Sequence, residues 1–405
     1  MGALPIETMR AILEIAIDKE GSTYAELLLG DAPLSKYREQ QALIRKLGSV
    51  CHRWRSICLE FLFEHVWIGP PLEPNTLAFR QIFDTNTLCG YSRHPPGWWT
   101  RQLYLDIHFL EPSERKALVD HFQVNNPFPN VECLFIFDCG SDVDAENAKV
   151  ILYVYAEHLA SLMLKGSVDT LRSMISCAPG GLPHLRELAL EFPWSGPPSP
   201  DKRDPLVLPS VNTLHLSNIK YDEYFGLLDW SFPSLRTLAM YMTYMLPDAF
   251  GPFIHLHGST ITSLSIPYWP LQPSVHKDLF EACRALERLE VLEGMWVDDE
   301  TLELVSLTHL PIMEEHGLRE WTFKQFWVEA ECFDITFQDC AGNPNLFPSL
   351  QKIRLLSPGV DKLFSLPLSR VHAFRNWSRA LKDRGVALVD DENGIPFNQL
   401  RRYGF

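Results

Sequence analysis

Side chains that could do chemistry are few and scattered in this sequence. His255 and His257 stand two positions apart and could share a metal ion, but no third or fourth ligand has the spacing that such sites use. Their apolar neighbours instead predict the exposed face of a strand or loop. Phosphate-binding glycine loops, serine elbows and His-Glu-x-x-His helices are missing from the sequence. The sequence therefore predicts no enzyme and indicates no metal or other cofactor.

Two further groups of reactive side chains also favour a structural role. Cys51 and Cys58 lie within an apolar helical pattern, where buried thiols are more common than nucleophiles. Asp298, Asp299 and Glu300 form an acidic run that predicts a solvated turn, with an aspartate capping the helix that follows. The function is therefore expected to depend on surfaces that bind partners.

The net charge indicates which kinds of partner are expected, and the cysteines indicate the cellular compartment. The 405 residues carry a formal net charge of −15, and residues 1–68, with 8 basic and 9 acidic residues, contribute only −1 of it. An acidic surface repels phosphate backbones, so nucleic-acid binding is not expected. Nine cysteines without a Cys-x-x-Cys pair favour reduced thiols and hence a cytoplasmic or nuclear location.

Targeting signals and membrane spans are not indicated by the hydropathy pattern. The first ten residues lack the charged and apolar regions of a secretory signal. The longest apolar stretch, Val150–Leu164, is interrupted by Glu157 and His158 and is too short to cross a bilayer. No membrane partner is therefore expected.

Apolar residues at helical spacing predict a small helical region at residues 1–68. A polar interval at 18–35 follows the first helical stripe, a second helical run begins near Lys36, and a short β-like stretch closes the region at 65–68. The first stripe consists of Ile6, Met9, Leu13 and Ile17. Periodicity alone leaves open whether these helices cap the rest of the chain or bind a partner.

The residue types in this region resemble an F-box. The resemblance rests on Leu4-Pro5-x-Glu7, on the Ile12-Leu13 pair and on Leu47-x-x-Val50-Cys51-x-x-Trp54. It implies a three-helix module that docks on the Skp-type adaptor subunit of a Skp–cullin–F-box ubiquitin ligase and, through that subunit, on a cullin. The adaptor-binding residues that it implies are Leu4, Pro5, Ile12, Leu13, Val50 and Trp54.

Two features of this region leave the docking surface partly open. Trp54 fits the core of the module as well as it fits the docking face. The interval at 18–40 is longer than the usual connection in the family, and an insertion there could alter the docking surface.

A second pattern, apolar-x-x-apolar-x-apolar, recurs through the rest of the chain. Successive copies start 24 to 32 residues apart, and Phe-Pro or Leu-Pro precedes five of them. The copies start at Val131, Leu159, Leu185, Val211, Leu235, Ile261, Leu286, Leu318 and Leu350, and Leu103 with Leu105 marks a weaker one. The pattern resembles a leucine-rich repeat, in which each unit supplies one strand and one helical return. The buried Asn or Cys that this family carries after each strand is nearly absent, so the repeats are irregular.

These patterns together predict an α/β fold, in which a small three-helix F-box-like module precedes an irregular leucine-rich-repeat solenoid with a curved parallel sheet and helical returns. The expected parts are the module at 1–68, a linker or irregular first repeat at 69–99, the repeat array at 100–370 and a C-terminal cap at 371–405. Repeat arrays need capped ends because their terminal units expose apolar faces.

Local patterns in the array predict several individual elements. Ser274–Cys283 and Tyr221–Trp230 are predicted to be helical returns, and Val386–Val389 is predicted to add a last strand. The segment Phe192–Leu208 is rich in Pro, Ser and Gly, which predicts a flexible surface loop.

Alternation along the predicted strands indicates which side chains point away from the leucines. The predicted partner-binding residues on that outer face are Phe135, Phe137, Met163, Glu187, Glu191, His215 and Tyr241. The first three would form an exposed apolar patch of the kind that binds partners, with the glutamates as its polar rim. The alternative is that the N-terminal module or a loop covers the patch.

The sequence thus favours a substrate-recognition adaptor of a Skp–cullin–F-box type E3 ubiquitin ligase, whose repeat face binds the target protein. The alternative is a leucine-rich-repeat interaction scaffold that acts outside any ubiquitin ligase. The identity of the target, the oligomeric state and the formation of a ligase complex in the cell do not follow from the sequence.

Overall fold

The structure, a computed structural model, has a mixed α/β fold. It describes residues 5–16, 32–69, 93–107, 110–137, 142–192, 205–219, 226–241, 250–269, 273–294, 307, 310, 316–323, 332–355 and 368–389. The chain divides into two units, the first comprising Met1–Val211 with His215–Ser231 and the second comprising Asn212–Leu214 with Phe232–Phe405. Leu4, the polar interval up to residue 31 and the acidic run at 298–300 lie outside the described residues.

The first unit begins with three helices and continues with strands and helices in alternation. Its helices are α1 (Ile6–Ala16), α2 (Ala32–Gly48), α3 (His52–Leu62), α4 (Pro112–Asn125), α5 (Asp142–Tyr155) and α6 (Val168–Ser176). Its strands are β1 (His65–Ile68), β2 (Gln102–Asp106), β3 (Cys133–Phe137), β4 (Ser161–Lys165), β5 (Glu187–Glu191), β6 (Leu206–Val207), most of β7 (Thr213–Ser217) and β8 (Trp230–Ser231). Short 3-10 helices lie at Pro96–Trp99 and Pro179–Gly181.

The second unit continues the alternation of strands and helices. Its strands are β9 (Thr237–Tyr241), β10 (Ser263–Trp269), β11 (Arg288–Gly294), β12 (Glu320–Phe323), β13 (Lys352–Leu355) and β14 (Ala387–Val389). Its helices are α7 (Phe250–His257), α8 (Pro273–Ala282), α9 (Cys332–Gly342) and α10 (Leu368–Asp383), with a 3-10 helix at Gly258–Thr260. No helix in the described part of the chain is long and apolar enough to cross a membrane.

Twelve of the described strands form one long parallel sheet. Their order is β1-β2-β3-β4-β5-β7-β9-β10-β11-β12-β13-β14, so each strand lies beside its neighbours in the chain, apart from β6 and β8, which pair separately. Parallel neighbours need a crossover connection, and the helices between the strands supply it. The predicted parallel strands with helical returns are therefore present.

A tight turn precedes several of the strands and explains the Phe-Pro and Leu-Pro openings. The backbone N–H of Val131 donates to the carbonyl of Phe128 at 3.4 Å, three residues earlier. The same bond recurs at Leu185, Val211, Leu235 and Leu350. Proline occupies the second position of each of these turns, where its fixed φ angle fits. The Phe or Leu before it is buried, so each opening anchors the chain just before a strand.

A shared carbonyl sets the register where each strand begins. The carbonyl of Glu132 accepts from the N–H groups of Ala160 at 2.9 Å and Ser161 at 3.1 Å, and the carbonyl of Arg236 accepts in the same way from Thr262 and Ser263. The arrangement recurs at Glu64, Arg101, Ala160, Asn212, Thr262, Glu287 and Arg319. Because nine of the described strands start from the same pair of bonds, their apolar triplets come into line from strand to strand.

The apolar triplets form the core on one side of the sheet. Within the first unit Leu134 pairs with Leu162, and Leu162 pairs with Leu188. All five residues predicted to lie inside are buried, with at most 1% of their surface exposed: Leu188, Leu214, Leu238, Leu264 and Leu289. The predicted register is therefore confirmed.

Some of the predicted elements are confirmed and others are wrong. Helix α8 lies where a return was predicted, and β14 is the predicted last strand. At Tyr221–Trp230 the structure describes only 226–230, of which residues 226–227 are helical as predicted, whereas Trp230 belongs to β8. The predicted loop Phe192–Leu208 is described only at its ends, where Leu206–Val207 forms β6.

The burial of Leu238 generates a test of the sheet register. We expect Leu238→Ala to lower the free energy of unfolding by about 2–5 kcal/mol, because it removes a fully buried side chain from a packed core. Leu256, which is 54% exposed on α7, is the matched control, and Leu256→Ala should change stability by less than about 0.5 kcal/mol. Urea denaturation measures both. Equal losses for the two variants would contradict the register.

Candidate functional site: two possible docking surfaces

Helices α1, α2 and α3 pack around a small core of their own. Its buried members are Met9 and Leu13 from α1, Ile44 from α2, and Ile57, Cys58 and Phe61 from α3. Arg10 on α1 forms an ion pair with Glu60, whose side chain is buried on α3. The apolar contacts and this ion pair fix α1 against α3.

Several large apolar side chains of the same helices lie outside that core. Ile12 is 42% exposed and Ile15 is 83% exposed on α1, and Val50 is 64% exposed in the turn between α2 and α3. Leu43 on α2 is 37% exposed. Ile12 and Ile15 are three positions apart, so they lie on the same side of α1. Exposed apolar side chains grouped on one small module are typical of surfaces that bind partners.

The structure divides the predicted adaptor-binding residues into two sets. Pro5, Ile12 and Val50 are exposed. Leu13 is fully buried in the helical core, so the expectation that it contacts a partner is wrong for this conformation. Trp54 is half-buried against the same core, which favours the core alternative for this residue. The sequence did not indicate Ile15 as a docking residue, because the F-box pattern includes Ile12 and Leu13 but not this position.

Cysteines 51 and 58 have different roles from each other. Cys51 is exposed, and its Sγ accepts a hydrogen bond from the backbone N–H of Trp54 at 3.5 Å, which caps α3. Burial of Cys51, which the apolar pattern predicted, is therefore wrong, whereas Cys58 is buried as expected. Desolvation raises the pKa of the Cys58 thiol, so it stays protonated at neutral pH.

Helix α2 also contacts the first strand of the sheet. The ring of Tyr37 lies 6.1 Å from the ring of Trp67 on β1, and its hydroxyl is hydrogen-bonded to the Trp67 backbone. Desolvation raises the pKa of Tyr37 to about 12. Gln41 on the same helix donates from Nε2 to the carbonyl of Leu62 at 3.1 Å. Helix α2 is therefore joined to β1 through Tyr37 and to α3 through Gln41.

A ladder of large side chains crosses the outer face of the first four strands. Trp67 on β1 stacks on Tyr104 on β2 with 5.2 Å between ring centroids, and Tyr104 stacks on Phe135 on β3 at 4.4 Å. Met163 on β4 comes next, because the strand register pairs it with Phe135. These four residues are all buried, with between 0% and 6% of their surface exposed.

Burial of this ladder overturns the exposed patch predicted from the sequence. Phe135 is 3% exposed, Met163 is 0% exposed and Tyr241 on β9 is 6% exposed, so none of them presents a surface to a partner. Phe137 is half-buried and stacks on Trp67 at 5.2 Å. Alternation correctly turns these side chains away from the leucines, but it cannot show that the outer face is itself covered. The alternative of a covered patch is therefore correct for Phe135 and Met163.

The two glutamates predicted to surround the patch are paired with neighbouring side chains. Glu187 on β5 accepts from Ser161 at 3.4 Å and lies 3.0 Å from Nε2 of His215 on β7. Glu191, which is buried, forms an ion pair with Lys165 at 3.0 Å and accepts from Nδ2 of Asn218 at 3.2 Å. Both glutamates, which the sequence predicted to form a polar rim, are therefore already paired within the chain.

The thiol of Cys133 belongs to β3 in the first unit, whereas His255 and His257 belong to the second unit. Burial raises the pKa of the Cys133 thiol to about 11, so it remains protonated at neutral pH. His255 and His257 belong to helix α7 instead of the predicted strand or loop. His255 is exposed and lies 3.3 Å from Asp278, whereas His257 is buried between aromatic rings. Among the described residues, no group of three or more His, Cys, Asp or Glu side chains is placed to hold a metal ion.

A buried histidine in the second unit makes stability depend on pH. His316 is 3% exposed, and its ring lies 5.5 Å from Phe280 and 5.8 Å from Phe347. Its Nδ1 accepts the backbone N–H of Leu318 at 3.2 Å. Desolvation lowers the pKa of His316 to about 4, which favours the neutral ring in the folded state.

Comparisons with known proteins give little further information. The sequence matches no known protein family and no curated protein. Several solved structures match the chain, among them the crystal structure of a Bacteroides fragilis protein with 11% sequence identity and a TM-score of 0.38, over 71% of this chain and 74% of that one. A similarity of this size does not bear on function.

The stacked position of Phe135 generates a stability prediction. We expect Phe135→Ala to lower the free energy of unfolding by about 3–5 kcal/mol, because a buried aromatic ring and its stacking contact are removed. Phe137→Ala, on the same strand but half-buried, should cost clearly less. Denaturant unfolding of both variants measures the difference. Wild-type stability in both would show that the rings are exposed and would restore the predicted binding patch.

The neutral state of His316 generates a pH prediction. In the unfolded chain the imidazole takes up a proton near its ordinary pKa of about 6.5. Its stabilising contribution is therefore complete above that pH and is lost as the pH falls towards 4, by about 1.4 kcal/mol per pH unit and about 3 kcal/mol in all. His316→Asn keeps an acceptor for the Leu318 N–H and should reduce this pH dependence. Identical slopes for wild type and variant between pH 6.5 and 4 would contradict the assignment.

Proposed function

We propose that this chain is a substrate-recognition adaptor of a Skp–cullin–F-box type E3 ubiquitin ligase, in which α1, α2 and α3 form an F-box-like docking module. The observation that carries the proposal is the exposure of Ile12, Ile15 and Val50 on helices that already have a complete core of their own. Two of these residues, Ile12 and Val50, occupy docking positions of the F-box pattern.

The energetics of these exposed residues favour a protein partner. Burying an exposed aliphatic side chain against a partner contributes about 1.5–3 kcal/mol. Ile12 and Ile15, on one side of α1, therefore offer an apolar contact, and Val50 and Leu43, which is 37% exposed on α2, are further candidates. Pro5 directly precedes α1, and its carbonyl accepts the N–H of Met9 at 3.1 Å, which fixes the start of this helix.

The remainder of the chain would select the target protein. Its strand and helix units, 24 to 32 residues apart, resemble an irregular leucine-rich-repeat solenoid. On the outer strand face, the accessible members of the predicted partner set are Phe137, Glu187 and His215, which are partly exposed. Phe135, Met163 and Tyr241 are buried and would not contact the target.

Such a receptor performs no bond chemistry of its own. It raises the effective concentration of the target near the ubiquitin-charged enzyme, so binding geometry, and not a catalytic group, determines its activity. The proposed location is the cytoplasm or the nucleus, where the reduced thiols of Cys51 and Cys58 are stable.

A repeat scaffold that acts outside any ubiquitin ligase is the second candidate. The contact between Tyr37 and Trp67 favours it, because helices that serve only as a cap need to pack on the first strand. Under this function the exposed face of α1 would not bind an adaptor of the Skp type.

Adaptor binding by purified protein distinguishes the two candidates. We expect Ile12→Asp together with Pro5→Ala to abolish co-purification with a Skp-type adaptor, because a charge replaces an apolar contact at the centre of the surface. Ile15→Asp alone should weaken binding for the same reason. Thermal unfolding should match wild type in each case, since these side chains lie outside the core.

Ser113→Asp provides the control, since Ser113 is an exposed polar residue on α4, outside the three docking helices. It introduces the same charge without removing an apolar contact, so adaptor binding should persist. Wild-type recovery of the adaptor with the Ile12 and Pro5 double variant would show that the docking face is wrong. A wild-type chain that does not bind the adaptor would favour the scaffold.

A further inference from the structure

Helices α2 and α3 enclose an apolar groove that the docking surface does not use. The helices approach closely at Gly48, where a side-chain Cβ would lie 3.4 Å from the Cβ of Cys58. Outside this contact an open groove of about 190 Å³ remains. Its apolar lining comes from Ile44, Cys58, Leu59 and Leu62. Neither Ile12 nor Ile15 lines it, so the groove is separate from the α1 surface.

Two arginines give the groove a positive rim. Arg45 on α2 and Arg55 on α3 both line it, and both are exposed. No carboxylate is among the lining residues, and in the described part of the chain neither arginine forms an ion pair. The groove therefore combines an apolar interior with two guanidinium groups that are available to a ligand.

The charge of these helices contrasts with that of the whole chain. Residues 32–62 contain six Lys or Arg and two Asp or Glu, a net charge of +4, in a chain whose net charge is −15. Glu60, one of the two acidic residues, is buried and paired with Arg10. The segment that forms the groove therefore carries a positive net charge, which attracts acidic segments of a partner.

We propose that the groove between α2 and α3 binds an acidic peptide segment of a partner protein. An aliphatic side chain of the segment enters between Ile44 and Leu59, and a neighbouring Asp or Glu pairs with Arg45 and Arg55. Guanidinium groups suit this role because their planar N–H donors match both oxygens of a carboxylate. The apolar lining favours a peptide over a small free anion, which would leave it unfilled.

A peptide selection on the purified full-length chain tests the proposal. Random 16-residue peptides displayed on phage are selected, and enriched sequences are resynthesised for fluorescence-anisotropy titration. We expect enrichment of Asp or Glu next to Leu, Ile or Val. Arg45→Glu with Arg55→Glu should weaken the binding of these peptides by about tenfold or more, because two attractive charges become repulsive. Replacing the aliphatic residue of the peptide by Ser should also weaken binding.

Arg38→Glu with Lys46→Glu is the matched control. Both residues are exposed on α2 but do not line the groove, and the double variant changes the net charge by the same amount. Its affinity should fall clearly less than that of the Arg45 and Arg55 double variant, since Arg38 and Lys46 add to the positive field but do not line the groove. Three outcomes would overturn the proposal: no enrichment, enrichment of neutral or basic peptides, or equal losses in both double variants. The selection contains no adaptor, so its result is independent of adaptor docking.

Discussion

The register between adjacent parallel strands is the constraint on which the rest of this structure depends. A carbonyl just before one strand accepts two N–H groups from the start of the next, as Glu132 does from Ala160 and Ser161. Each apolar triplet is therefore aligned with the next, and the side chains between the leucines are aligned as well. A one-residue slip would exchange the two faces of a strand, so the leucine core and the aromatic ladder require the same register.

Much of this arrangement could be predicted from the sequence, because it follows from local patterns that repeat. The spacing of the triplets predicted the strands, and the Phe-Pro and Leu-Pro openings marked the turns before them. Exposure was harder to predict. Alternation placed Phe135 on the outer face but carried no information about what covers that face, and a ring that was expected to bind a partner is buried.

Side-chain exposure was equally hard to predict for the first helix. Apolar residues occupy more than one side of α1, and a helical pattern cannot decide which side meets the core when both are apolar. The structure places Leu13 inside and leaves the adjacent Ile12 and the more distant Ile15 outside. Cys51 is a second example. Its place in an apolar pattern predicted burial, but it lies at the start of α3 and caps that helix. In both cases the neighbouring helix, and not the local sequence, determines the role of the side chain.

The central claim is that α1 and the turn between α2 and α3 form a docking surface and are not only part of a cap. Amide hydrogen exchange of the full-length chain, measured with and without a purified Skp-type adaptor, tests it most directly. If α1 and this turn bind the adaptor, we expect slower exchange in residues 6–16 and around Val50 when the adaptor is present, with little change in the strands. Unchanged exchange in both segments at saturating adaptor would contradict it.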